Sequence, residues 1–112
     1  MHTARLVALI LAIAPTLAAA GDADMLARAA EDGVHLPQDL KQLRIIALIR
    51  DGGDLLFDAI PAAGGPSPDP ATAQTFACAT PEIAAVIAAG GRVEVTLLGQ
   101  PFARIDRCPP AP

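Results

Sequence analysis

Two cysteines and three closely spaced aspartates are the side chains of this sequence whose types and spacing could support chemistry. Cys78 and Cys108 are the only cysteines of the chain. They form no CxxC motif and have no His-rich neighbourhood, which favours a structural disulfide over a redox or zinc site. Closing a loop of about 31 residues stabilises a fold by roughly 3 to 4 kcal/mol in the chain-entropy model. We therefore predict a Cys78–Cys108 bond.

Asp51, Asp54 and Asp58 lie in and just after a stretch that contains the glycine pair 52–53. Paired carboxylates can act as general acid and base when burial separates their pKa values, and carboxylate oxygens also bind calcium. The stretch lacks the alternating oxygen ligands of an EF-hand loop, and aspartates in a glycine turn are usually solvated. A metal-binding or hydrolytic domain built on these aspartates is therefore the alternative reading, and our main expectation is a protein without metal or cofactor.

Other candidate catalytic side chains are scarce. Past residue 20 the chain has a single histidine, His35, and a single serine, Ser67, and it contains no tyrosine or tryptophan. A Ser-His-Asp triad would have to join these two residues, and neither lies in a nucleophile-turn motif. This inventory favours a binding protein without catalytic activity.

The first 20 residues have the order of regions found in a cleavable secretory signal. Arg5 precedes the unbroken apolar run 6–14, which Pro15 ends, and alanines at 18–20 supply a small-residue cleavage site. The run is about half of the roughly 20 apolar residues that span a bilayer, so we expect no membrane anchor after cleavage. We predict that the mature chain begins at Gly21 and is periplasmic, with full secretion as the alternative.

The charge of the chain bears on its partners. Of the eight Lys and Arg residues only Arg5 lies in the predicted signal, so the mature chain carries 12 acidic and seven basic side chains. It has no basic cluster, which argues against nucleic acid and anionic membrane surfaces as partners. The abundance of Ala, Gly and Pro beside a single Lys is typical of GC-rich coding sequence and indicates a bacterial source.

Capping signals and periodicity predict two helices and two β-hairpins. The helices cover 22–33 and 80–89, each opened by an N-cap residue and followed or ended by glycine. Proline at its start indicates one further helical turn over 37–43. Two hairpins are predicted. Apolar, β-branched residues around a glycine turn pair 44–50 with 55–60, and alternating apolar and polar residues before the turn at 99–101 pair 92–97 with 102–108.

The order of these elements predicts a small α+β domain over 21–108, with a mainly antiparallel sheet of two hairpins, two helices on one face and one disulfide. Because the segment 44–50 is apolar on both faces, we expect it to form a central strand covered on both sides. A proline-rich tail, 109–112, follows the domain and has no core residues.

A Pro/Gly-rich segment over 61–74 separates the two halves of the domain and is predicted to be an exposed loop. A short edge strand is expected over 74–78. Loops on a rigid scaffold often carry recognition, and prolines leave little entropy to lose on docking. We therefore expect partner contacts at the residues 66–70, namely Pro66, Ser67, Pro68, Asp69 and Pro70.

The expected partner is another envelope or secreted protein. Two further readings of the loop 61–74 stay open at this point. In one it is a solvated spacer, because proline and glycine also simply end regular structure. In the other the protein is an inhibitor, and the loop occupies the cleft of its target.

Overall fold

The structure is a computed structural model that describes residues 22–109. The predicted signal, 1–20, and residues 110–112 of the predicted tail lie outside the described residues. The described chain forms three helices and five strands. In chain order they are α1 (22–33), β1 (Gln38–Asp39), β2 (Leu43–Asp51), β3 (Asp54–Pro61), α2 (Pro70–Ala79), α3 (Pro81–Ala88), β4 (Val93–Leu97) and β5 (Gln100–Ile105).

The five strands form one sheet in which the spatial order follows the chain order, from β1 at one edge to β5 at the other. Neighbouring strands are antiparallel except for β3 and β4, which are parallel. A parallel pair cannot be joined by a tight turn, so the chain between β3 and β4 crosses the sheet and carries α2 and α3. The predicted α+β class with a mainly antiparallel sheet is confirmed, with three helices in place of two.

One face of the sheet is buried and packs against the helices to form the hydrophobic core. Leu55, Phe57 and Ala59 of β3 are buried, whereas Asp58 between them is exposed, which is the alternation of a strand with one covered face. Helix α2 covers that face, and the ring of Phe76 meets the ring of Phe57 edge to face with centroids 5.6 Å apart. Within residues 22–109 no polar or charged side chain is buried. The core therefore depends on apolar packing.

Helix α1 is attached to the same face by packing and by charge. Its Ala27 and Ala30 are fully buried, and their small side chains allow the helix to approach the sheet closely. Arg50, near the end of β2, lies 3.2 Å from a carboxylate oxygen of Asp24 and 3.6 Å from one of Glu31. These ion pairs are partly exposed, so each contributes at most about 1 kcal/mol. No helix within the described residues is long and apolar enough to cross a membrane.

Both edges of the sheet are interrupted. Strand β1 is only two residues long. On β5, Pro101 lacks a backbone N–H, and Phe102 falls between the paired residues Pro101 and Ala103 because the register with β4 shifts there. Strand β5 therefore presents no long regular row of backbone groups, whereas β1 pairs only with Arg44 and Ile45 and leaves residues 46–51 of β2 without a strand partner on that side.

The prediction of a strand over 74–78 is wrong, because these residues lie in helix α2. The helix begins at Pro70 behind an Asp69 N-cap, whose carboxylate accepts a hydrogen bond from the N–H of Ala71 at 3.0 Å. The loop is consequently shorter than predicted and ends at Asp69. A proline directly after an aspartate is a helix start, and the apolar spacing that follows fits a helix as well as a short strand.

Two further predictions about local structure are wrong. The segment 37–43 forms no helical turn, since Gln38 and Asp39 pair with β2 as an edge strand. Strand β2 is not covered on both faces, because Ile46 and Ile49 are 44% and 58% exposed. The helices cover one face of the sheet, and the aliphatic residues on the other face of β2 remain in contact with solvent.

Gly91 allows two turns to approach each other closely behind α3. It is buried, and a Cβ at this position would overlap the carbonyl oxygen of Gly53 and lie 2.5 Å from Cγ1 of Val86. The turn between β2 and β3 therefore packs directly against the backbone that leads into β4. Any side chain at this position must push the two turns apart.

We expect Gly91→Ala to lower the free energy of unfolding by about 1–3 kcal/mol, because overpacked sites in well-packed proteins cost about that much. Urea denaturation followed by circular dichroism measures the change. Gly33→Ala is the matched control, since a Cβ on Gly33 would meet the Cγ of Glu82 at an ordinary 3.7 Å. Equal stabilities of the two variants would contradict the close approach.

Candidate functional site

A groove lies between helix α2 and the edge strand β1 with the turn that follows it. Its volume is about 560 Å³, within the range of about 300–1,000 Å³ that is typical of ligand sites. The lining residues are Gln38, Leu40, Lys41, Ala71, Thr72, Thr75, Phe76, Ala79 and Thr80. The lining is mainly apolar or small, with a few polar groups, which is the usual composition of a binding site.

Helix α2 gives the groove its depth, because the face that it turns toward β1 carries small side chains. Ala71, Thr75 and Ala79 recur every four residues and so lie on one face of the helix. Phe76 and Leu40 pack against the hydrophobic core and form the floor. Because the side chains of this wall are small and the floor is apolar, the groove has room for a large apolar side chain of a bound molecule.

Strand β1 offers the groove side chains and few backbone groups. The N–H of Leu40 donates to the carbonyl of Leu43 at 2.7 Å, and Gln38 lies two residues before it, so Gln38 also pairs toward β2. Among the residues of β1, only Asp39 turns its backbone groups to the open edge. A ligand that bound by adding a strand would gain few hydrogen bonds there, so recognition depends on side chains.

The N-terminal end of α2 is fixed beside the turn between β1 and β2 by Gln42. The side-chain oxygen of Gln42 accepts a hydrogen bond from the backbone N–H of Asp69 at 3.0 Å and another from the hydroxyl of Thr72. The backbone oxygen of Gln42 accepts the N–H of Ala62 at 3.0 Å. One residue thus joins the turn, the loop and the helix.

The C-terminal end of α2 is held by the disulfide. Cys78, in the last turn of the helix, is bonded to Cys108, which follows β5, with an S–S distance of 2.08 Å and Cα atoms 5.6 Å apart. The predicted pairing is confirmed. The helix that forms one wall of the groove is therefore held by hydrogen bonds at one end and by a covalent bond at the other.

Lys41 gives the groove a positive rim. It makes no salt bridge with any residue in the range 22–109, whereas Arg28, Arg44, Arg50 and Arg92 all do. The residues that line the groove include no carboxylate. The charge of the groove is therefore positive although the chain as a whole is acidic.

The loop with the predicted partner contacts lies at the Lys41 end of the groove. A Cβ on Gly65 would be 3.4 Å from the carbonyl oxygen of Lys41, so the loop packs against this turn. Of the residues at which we expect contacts, 66–68 belong to the loop, while Asp69 caps α2 and Pro70 begins it. These last two residues have structural roles, and a partner contact anywhere in the loop stays a prediction.

The three aspartates serve different parts of the sheet. Asp51 and Asp54 face each other where the β2–β3 hairpin turns, and the carboxylate of Asp54 accepts the N–H of Arg92 at 3.0 Å. Asp58 accepts the hydroxyl of Thr96 at 2.6 Å on the face away from the helices. Across residues 22–109 no group of three or more His, Cys, Asp or Glu side chains is placed to hold a metal ion. Within the described residues the three aspartates therefore do not form one cluster.

The fold on which this groove lies is an α+β fold with a five-stranded sheet and helices on one face. No family model and no curated protein matches the chain. A solved structure similar to it is that of the type II secretion system pilotin AspS from Vibrio cholerae, with a TM-score of 0.55 and 19% sequence identity. The similarity covers 80% of this chain and 91% of the pilotin chain. At this identity the likeness establishes a shared fold.

Sequence reasoning missed the groove. Reading 74–78 as a strand concealed the small-residue face of α2, although Ala71, Thr75 and Ala79 at intervals of four after an Asp-Pro helix start could have indicated it. The opposite wall could not be found in this way. Strand β1 has two residues, which is too short for any alternation of burial to be visible.

We expect the disulfide to contribute roughly 3 to 4 kcal/mol to stability, because it closes a loop of about 31 residues. Replacing both Cys78 and Cys108 by serine leaves no stray thiol and should lower the free energy of unfolding by that amount in urea titrations. Alkylation of the unreduced wild-type protein should modify neither cysteine. Full alkylation without reductant, or an unchanged urea midpoint in the double variant, would contradict the prediction.

Proposed function

We propose that this chain is an exported, non-catalytic protein of the bacterial envelope that binds a component of a secretion apparatus. The observation that carries the proposal is the groove beside α2, which lies on a fold shared with a type II secretion system pilotin. The similarity in fold supports a component of a secretion apparatus as the partner, and the groove supports binding, without catalysis, as the mode of action.

Export is supported by two independent features. The predicted signal over 1–20 directs the chain out of the cytoplasm. The Cys78–Cys108 bond is of a kind that forms and persists in oxidising compartments such as the periplasm. We propose the periplasm as the location, and full secretion remains the alternative.

The groove suits an apolar segment of a partner protein. The small side chains of α2 leave space above Phe76 and Leu40, so an aliphatic or aromatic side chain would lose its hydration there at about 25 cal/mol per Å² of apolar surface buried. Lys41 at the rim attracts a carboxylate on that segment. Because β1 exposes the backbone groups of one residue, side-chain contacts supply the specificity.

The loop residues 66–68 extend this surface in our proposal. They adjoin the Lys41 end of the groove, and Pro66 and Ser67 are exposed. A partner segment that leaves the groove at this end would meet the loop next. The alternative in which the protein acts as an inhibitor uses the same loop, but it makes no use of the groove and so has less support.

A photo-reactive residue in the groove tests the proposal. We expect p-benzoylphenylalanine in place of Thr75, which lines the groove, to crosslink an envelope protein of the secretion apparatus when cells of the source organism are irradiated. Gln74 is the control position, because it is also exposed on α2 but does not line the groove. Mass spectrometry of the crosslinked product identifies the partner.

The charge at the rim supplies a blocking test. With the photo-reactive residue at position 75, Lys41→Glu should lower the yield of the crosslinked complex at least twofold because it repels a carboxylate on the partner, whereas Lys41→Arg should leave the yield unchanged. Equal crosslinking from positions 74 and 75, or products that contain no envelope protein, would overturn the proposal.

The predicted export has its own test. We expect protein recovered from the periplasm or the medium to begin at Gly21 or within one or two residues of it, because alanines at 18–20 form the cleavage site. Intact mass spectrometry measures this directly. A recovered species that retains Met1 would refute cleavage, whatever the result of the crosslinking experiment.

A further inference from the structure

We infer that Gln42 is the positioning residue of the groove: its side chain holds the N-terminal end of α2 and so sets the distance between Ala71 on the helix and Lys41 on the turn. Gln42 follows Lys41 directly but is absent from the lining of the groove. It can therefore control the shape of the groove without touching the occupant. The inference rests on the proposed function, because it concerns the same groove.

The contacts of Gln42 are concentrated at the beginning of α2. An N-cap residue has no partner for its own N–H within the helix that it caps, so the N–H of Asp69 depends on the oxygen of Gln42, 3.0 Å away. The same oxygen accepts the hydroxyl of Thr72, which lines the groove. One acceptor thus fixes both the start of the helix and the orientation of a side chain in the groove wall.

The two ends of α2 differ in how they can move. At the C-terminal end the Cys78–Cys108 bond is covalent. At the N-terminal end, side-chain hydrogen bonds join the turn to the helix. Within residues 22–109, the acceptor of all of them is the side-chain oxygen of Gln42. Loss of this acceptor therefore frees one end of the wall and leaves the other anchored, so the groove widens between Lys41 and Ala71.

Amide hydrogen exchange in the free protein is the first measurement. In Gln42→Leu, which removes the acceptor, the amide of Asp69 should exchange at least tenfold faster than in wild type. The amide of Ala89, the C-cap of α3, donates to the carbonyl of Ala85 at 3.1 Å and should keep its rate. Gln42→Glu should restore protection to within threefold, because a carboxylate also accepts and is favoured at a helix N-terminus. Thr72→Val, which preserves the side-chain shape and removes one donor, should give a smaller change in a folded protein.

Gln38→Leu is the matched control, because Gln38 is a neighbouring glutamine whose side chain makes no hydrogen bond within the described range. It should leave the exchange of the Asp69 amide unchanged. The second measurement is the yield of the crosslink from position 75 to the partner. We expect Gln42→Leu to lower that yield at least fivefold and Gln42→Glu to keep it within twofold of wild type.

Unchanged exchange of the Asp69 amide in both Gln42→Leu and Thr72→Val overturns the inference. Faster exchange with equal crosslink yields in wild type, Gln42→Leu and Gln42→Glu also overturns it, because the groove would then not depend on this end of α2. If wild type itself forms no crosslink, the proposed function fails, and the exchange rates alone decide whether Gln42 positions the helix.

Discussion

The parallel pairing of β3 with β4 is the constraint on which the rest of the structure depends. Five register pairs fix the two strands side by side and in the same direction, so the chain must return across the sheet between Pro61 and Val93. That crossover contains the loop, α2 and α3, and it buries one face of the sheet. The groove exists because α2 starts beside the turn after β1 at one edge and reaches, through its disulfide, the segment after β5 at the other.

Helix α2 has polar and covalent links at its two ends and apolar contacts between them. Phe76 and Ala77 face the core, where no polar group is buried within residues 22–109. A helix with small side chains buries less apolar area than one with leucines, so packing alone holds it weakly. The hydrogen bonds of Gln42 and the bond of Cys78 compensate for this at the ends.

The parts of the fold that could be predicted are those in which local sequence and tertiary structure agree. The alternation of Val93 and Val95 with polar residues, and the Thr80-Pro81 helix start, each indicated the element that forms. Helix α2 was misread because Thr and Phe are common in strands, so its N-cap at Asp69 was the better signal. The groove could not be predicted, since its two walls come from distant parts of the chain and meet only through the crossover.

The edges of the sheet decide where separate molecules of this protein could pair their strands. Unpaired strand edges are templates for joining sheets of separate molecules, and proteins avoid this with short edge strands, prolines and irregular pairing. Here β1 has two residues, and β5 combines Pro101 with an unpaired Phe102. A second molecule would find no continuous ladder at β5. On the opposite side β1 covers only Arg44 and Ile45, so the remainder of β2, which carries the exposed Ile49, is where a second molecule could add a strand.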